Sequence, residues 1–209
     1  MKRLAANELS LESRPGAFAG VLMNSSAELV TLARQGDHEA FRLIFERYSR
    51  PVISFIYDVV SDRELAEELT QETFVRAYRN LGTMREETKL STWLFGIARN
   101  VAREALRARV RDDHVDLEDK SVLDLRGSEP APVDQFLSKE LNGVIERALA
   151  TLDEDKRLVF TLKVFQQRTY EEIAEITGFS IPKLKTDLHR ARSEMRRRIR
   201  PYLGVGYEV

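Results

Sequence analysis

Apolar residues recur along this chain at spacings of three, four and seven nearly throughout. Phe41, Ile44, Phe45 and Tyr48 form one stripe; Val52, Phe55, Ile56, Val59 and Val60 form another after Pro51, where a helix break is expected. The third stripe, Leu65, Leu69, Phe74, Ala77, Tyr78 and Leu81, begins after Ser61 and Glu64, which have capping-box spacing, and stops near Gly82. Ser91 is placed to cap a fourth helix that buries Leu94, Ile97, Ala98, Val101 and Ala105. No run alternates long enough to predict a strand, so the fold class is all-α.

The pattern lapses between Arg111 and Asp134, where eight acids face three bases and Gly127, Pro130 and Pro132 punctuate the chain. This composition predicts a flexible acidic linker between two small helical domains. The second block opens with Leu137, Leu141, Val144, Ile145, Ala148 and Leu152 on one stripe. Asp153 caps the next helix, carrying Leu158, Val159, Leu162 and Phe165. Thr169 and Glu172 form a capping box, Gly178-Phe179-Ser180 makes a short turn, and a last helix carries Leu184, Leu188, Ala191, Met195 and Ile199 up to Pro201. A short helix, a three-residue turn and a longer amphipathic helix have the layout of a helix-turn-helix.

Charge changes the picture only when it is resolved along the chain. In total, 33 Lys and Arg against 34 Asp and Glu give a net charge of -1 over 209 residues, which taken alone argues against a nucleic-acid partner. Yet Lys183 to Arg200 holds eight bases and two acids, and Arg99, Arg103, Arg107, Arg109 and Arg111 line the fourth helix opposed only by Glu104. On the last helix the apolar stripe leaves Lys185, Thr186, His189 and Arg190 facing outward, donors suited to phosphates and base edges in a major groove. The stretch Asp58 to Arg79 is the reverse, with six acids against three bases, and suits a basic protein surface.

Other function classes have little support. There is no Cys, so disulfides and thiolate chemistry are excluded. His38, His114 and His189 lack the spacing of a metal site, and neither a nucleophile-base pair nor a Gly-rich phosphate loop is visible. Glu67 with Glu68, and Glu171 with Glu172, are adjacent acids that diverge on a helix and share no substrate. No enzyme, cofactor or metal is therefore expected. No apolar stretch is long enough for a membrane span, and Asn7, Glu8, Ser10 and Glu12 interrupt any leader core, so a soluble cytoplasmic chain is expected, without membrane insertion.

Three stretches in order, AEELTQETFVRAYRN (66–80), STWLFGIARN (91–100) and TYEEIAEITGFS with LHRARSEMRRRI, carry a resemblance to the extracytoplasmic-function (ECF) group of bacterial sigma factors. It covers roughly Ala27 to Arg111 and Leu137 to Leu203. It implies an extension over 1–24, a domain for core polymerase binding and −10 recognition and melting over 25–111, a linker over 112–134, a −35 domain over 135–203 and a tail over 204–209. By the resemblance, Glu68, Gln71 and Glu72 dock on the clamp helices of the largest polymerase subunit, and Trp93 anchors the fourth helix within the core. Arg99, Asn100, Arg103 and Arg107 meet the −10 element, and the Thr83 to Leu90 loop, with Met84 in place of a common phenylalanine, captures a base flipped from the melted non-template strand. Lys183, Lys185, Thr186, Asp187, His189 and Arg190 read or flank the −35 element, with Thr169 and Tyr170 holding phosphate.

The sequence departs from the family at Pro182, a common glycine, and at Asp187, a common arginine, where a carboxylate on or near the DNA side predicts a changed −35 preference. The resemblance also implies an anti-sigma factor as a partner. The competing readings are a free-standing helix-turn-helix regulator with a helical sensor or dimerisation domain and, more distantly, an enzyme with a helix-turn-helix tail. Met23 is a plausible alternative start, which makes Met1 to Leu22 either a start artefact or a disordered arm.

Overall fold

The computed structural model describes residues 25–85, 88–112 and 132–202, and no side chain between 110 and 140. Helices account for nearly all of the described residues and no strand occurs among them. The expectations for the N-terminal arm, for most of the acidic linker and for the last seven residues lie outside the described residues.

The first helix, α1 (Ser26–Arg34), has no counterpart in the predicted elements, although its signal is present in the sequence. Ser25 Oγ accepts from Glu28 N at 3.2 Å and Glu28 Oε2 accepts from Ser25 N at 2.7 Å, a complete capping box. A turn at Gly36, whose φ of +92° suits a residue without Cβ, leads to Asp37, which caps α2 (His38–Val60). The expected break at Pro51 does not occur. Proline removes one backbone donor, but the buried stripe Val52, Phe55, Ile56, Val59 and Val60 keeps the helix on its course.

The next boundary also differs from the prediction. Ser61 is the left-handed residue that ends α2, with φ of 56°, and the cap of α3 (Arg63–Asn80) is Asp62, whose Oδ1 accepts from Leu65 N at 3.1 Å. A hydroxyl and a carboxylate one residue apart competed for one cap, and the carboxylate also favours the positive end of the helix. A 3-10 turn at Leu81–Thr83 takes in Gly82 and leads towards α4 (Leu90–Asp112), which begins one residue before Ser91.

In the second block α5 (Pro132–Ala150) is followed by α6 (Glu154–Phe160), capped by Asp153 as expected. The chain then widens into a π turn (Thr161–Phe165), where Gln166 N bonds Thr161 O at 3.0 Å, and leaves through Gln167 at a left-handed φ of 51°. The short helix α7 (Tyr170–Thr177) has its Thr169–Glu172 capping box, and Gly178, with φ of 74°, closes it. The long helix α8 (Ile181–Ile199) follows, with Pro182 tolerated in its first turn.

The two blocks bury a single connected apolar cluster, with Phe55 and Phe95 edge to face at its centre (5.1 Å). Helix α4 lies against α7, and α2 against α6 and the π turn. Trp93 packs partly buried against this cluster, as expected of an anchor. Three residues expected on buried stripes are instead exposed: Phe45 and Leu141 at 41% each and Tyr78 at 47%.

Candidate nucleic-acid interface

Helix α4 turns Leu94, Phe95, Ala98, Val101 and Ala102 into the core, which leaves Arg99, Asn100, Arg103 and Arg107 along its other side. The four form one cationic ridge, but Arg99 and Arg103 are only partly exposed. Burial, and secondarily the neighbouring Arg103, makes Arg99 easier to deprotonate than a free guanidinium. Its Nη1 donates to Asn100 Oδ1 at 3.3 Å, whereas Arg103 is ion-paired to Glu154 of α6 at 2.5 Å.

The loop expected to capture a base begins on a fixed stem. Arg34 Nε donates to Leu81 O at 3.1 Å and its Nη2 to Met84 O, tying the loop to α1. Met84 is buried, and it lines a cavity of about 590 Å³ with Val30, Tyr48 and Leu90. A second cavity, of about 540 Å³, opens between the loop, the ridge of α4 and the end of α7. Thr83, Trp93, Asn100 and Glu175 are among its walls.

On α3, Glu68 and Gln71 are exposed, and Glu72 is half-buried because its carboxylate accepts from Arg76 Nε at 2.7 Å. The same helix face continues through Val75 and Tyr78, exposed at 41% and 47%, with Tyr78 Oη hydrogen-bonded to His38 Nδ1 at 3.1 Å. Sequence reasoning missed this apolar continuation, because Tyr78 also satisfies the spacing of the buried stripe. The usable signal was the spacing from Gln71 of four and seven residues.

On α8, Lys185, Thr186, His189 and Arg190 are all exposed, while Leu184, Leu188 and Ala191 form the floor beneath them. Lys183 and Asp187 do not join that face. Asp187 is buried to 9% exposure and its carboxylate accepts from Lys183 Nζ at 2.5 Å; the same ammonium reaches Asp155 at 3.0 Å and lies 4.1 Å from the Phe179 ring centre. The carboxylate expected on the DNA side thus points back toward α6, because a turn of α8 brings residue 187 beneath residue 183 and above Leu184. Tyr170 lies under Lys163 (4.7 Å) and Lys185 (5.8 Å), and Thr169 Oγ1 accepts from Glu172 N at 3.2 Å in its cap.

Among the described residues no group of three or more His, Asp or Glu is arranged to hold a metal ion, and no helix is long and apolar enough to cross a membrane. What the arrangement offers is two cationic helix faces and one mixed acidic and apolar face, all suited to binding.

Comparison with known proteins accounts for this layout. Sigma-70 region 2 matches residues 44–112 and Sigma-70, region 4 matches residues 143–195. The RNA polymerase sigma-H factor of Pseudomonas aeruginosa is 31% identical over 183 residues, covering 84% of this chain and 94% of the relative. The ECF RNA polymerase sigma factor SigW of Bacillus subtilis is 30% identical over 173 residues, covering 80% and 92%. Among solved structures, the sigma factor RpoE in complex with the anti-sigma factor NepR from Bartonella quintana shares the fold with a TM-score of 0.64, at 24% identity, over 77% of this chain and 96% of that one. With sigma region 2 laid over the ridge of α4 and sigma region 4 over the helix-turn-helix, the chain belongs to the ECF group of RNA polymerase sigma factors.

Proposed function

We infer that this chain, as an alternative sigma factor, brings core RNA polymerase to promoters through three separate surfaces. The observation that carries this reading is the outward ridge Lys185, Thr186, His189 and Arg190 on the second helix of the helix-turn-helix, set over a buried Leu184, Leu188 and Ala191. Four polar donors on one solvent-facing side of a rigid helix suit the edges and phosphates of the −35 element. Lys183 and Asp187 support this helix from behind.

Glu68, Gln71 and Glu72 dock on the clamp helices of the largest polymerase subunit, and the exposed Val75 and Tyr78 extend that face with apolar area. Arg99, Asn100, Arg103 and Arg107 track the −10 element, and the loop at Met84 holds a flipped base of the melted non-template strand. Unstacking a base costs a few kcal/mol, which a pocket of matching shape offsets. The polymerase performs the chemistry; this chain binds and positions, and acts in the cytoplasm. One structural neighbour is the sigma factor RpoE in complex with the anti-sigma factor NepR, another is CnrH in complex with the cytosolic domain of CnrY, and an anti-sigma partner is proposed here too.

Run-off transcription with purified core polymerase tests the reading. Core-dependent initiation, lost when Glu68, Gln71 and Tyr78 are replaced together by alanine, is the expected result. Tight binding to duplex DNA by the chain alone, without core-dependent initiation at any mapped promoter, would instead favour the free-standing regulator.

A further inference from the structure

The loop between α3 and α4 starts where helical hydrogen bonding runs out. After Asn80 the chain tightens into the 3-10 turn Leu81–Thr83, where Met84 N donates to Leu81 O at 3.3 Å and Thr83 Oγ1 donates back to Asn80 O at 2.8 Å. A left-handed glycine closes α7 at Gly178, but none closes this end, so its last carbonyls take donors from elsewhere.

The donors come from α1. Arg34 Nε donates to Leu81 O at 3.1 Å and Nη2 to Met84 O, so one guanidinium grips both ends of the turn from 47 and 50 residues away in the chain. Its planar fork holds two carbonyls at a fixed separation, which the point charge of an ammonium does not. Helix α1 is a firm base for the grip. Leu29 and Val30 are buried, the capping box is complete, Ser26 Oγ and Tyr48 Oη of α2 are hydrogen-bonded at 2.8 Å, and Asp37 N closes on Leu32 O at 3.1 Å. The far end of the loop is held separately by Leu90, buried at the start of α4. Both ends meet around the cavity of about 590 Å³, whose walls include Arg34, Met84, Thr88 and Leu90.

We propose that Arg34 is a positioning residue for strand separation: by holding the carbonyls of Leu81 and Met84 it presets the loop to accept the flipped −10 base, without touching that base. The proposal rests on the reading of Thr83 to Leu90 as the base-capturing loop. A loop set in advance has less to order at the moment of capture, so the benefit of Arg34 exists only when a base is there to be taken. Arg34 lies on a different helix from the α3 face and from the α8 ridge, and its loss spares both.

The test uses holoenzyme and fork-junction DNA built on a mapped promoter, with a −35 duplex and a single-stranded −10 non-template strand. That strand is either intact or carries one abasic nucleotide, scanned through the −10 element. In the parent, the abasic site that empties the pocket is expected to weaken binding about tenfold, as the loss of one stacked base allows. In Arg34→Ala the same site should cost about twofold or less, a coupling between residue and base that a general loss of stability does not produce. Affinity for core polymerase and for the −35 duplex alone should stay at parental values. Arg34→Lys keeps the charge without the fork and should behave as Arg34→Ala. An abasic penalty in Arg34→Ala as large as in the parent overturns the proposal, as does full recovery in Arg34→Lys, which would make residue 34 a surface cation acting on phosphate. Equal loss of core affinity in both variants would reduce Arg34 to a structural role. No penalty at any abasic position in the parent would sink the base-capture reading itself, and this proposal with it.

Discussion

Helices α4 and α8 are both long, amphipathic and rich in arginine, yet they stand in opposite situations. The ridge of α8 keeps Lys185, Thr186, His189 and Arg190 in solvent, whereas α4 has Arg103 paired to Glu154 and Arg99 half-buried. The difference lies in the neighbours, since the helices have similar composition. Acids near α8, namely Asp155, Asp187 and Glu194, are taken up by Lys183 and Lys156 on its inward side. Near α4, Asp62 of its own block pairs with Arg109, whereas Glu154 of the second block lands on Arg103, on the side expected to meet DNA. A basic helix thus announces what it can bind, and only the position of the surrounding acids says whether it is ready to bind it.

The strongest challenge to this comparison is to ask whether the blocks behave as one body. Phe55→Ala in the first block is expected to cost about 3–5 kcal/mol and Leu188→Ala in the second about 2–5 kcal/mol, because both side chains are buried in the shared cluster. Each should lower a single thermal transition followed by circular dichroism. Two separate transitions would show that the blocks fold independently and touch only weakly.

Arg157→Ala is the next largest effect. Its guanidinium bonds the carbonyls of Val59 (2.9 Å), Ala150 and Leu152 (3.1 Å each), and burial makes it easier to deprotonate than a free guanidinium. Removing it leaves those carbonyls short of a donor, a loss of about 1–3 kcal/mol measurable as a lower urea midpoint. An unchanged midpoint would mean the clasp contributes nothing.

The exposed ridge is probed by Arg190→Ala, expected to weaken binding of holoenzyme to −35 duplex by about 1–3 kcal/mol in gel-shift titrations. Asp187→Asn should be far milder. It removes a pair with a partly exposed lysine, worth about 0.5 kcal/mol, and should leave the ranking of −35 variants as in the parent. A re-ordered ranking would return Asp187 to the DNA side.

The smallest effect is on pH dependence. Burial raises the affinity of Glu172 for a proton, but the Thr169 backbone N–H and the Lys89 ammonium outweigh it and hold the carboxyl below the usual glutamate range. A depressed folded value means stabilisation that is complete above the unfolded value of about 4.3 and is lost as pH falls through the folded one. Parent and Glu172→Gln should therefore differ in urea midpoint at pH 7 and converge near pH 3. A difference that persists in acid would assign Glu172 another role.

Much of this architecture was legible from spacing. The capping boxes at Thr169 and Ser25, the Gly178 turn and the stripe Leu184, Leu188, Ala191 and Met195 depend on residues within a turn or two of each other. The errors share a cause as well. Pro51, Ser61 and Tyr78 each satisfied a local rule, for a break, a cap and a buried stripe, while Asp187 was placed on or near the DNA side by the resemblance, and each was decided by something outside its own segment or by a better local competitor.

By itself the sequence determined the helices, the helix-turn-helix, the family and the segregation of charge, because helical periodicity and capping are short-range and the ECF motifs are contiguous. The tertiary structure decided which charges meet. Ion pairs such as Arg103 with Glu154 and Lys89 with Glu172 join residues far apart in the chain, and no spacing rule relates them. Coulomb attraction acts through space rather than along the chain, so the covering of α4, unlike its basicity, exists only once the two blocks are packed.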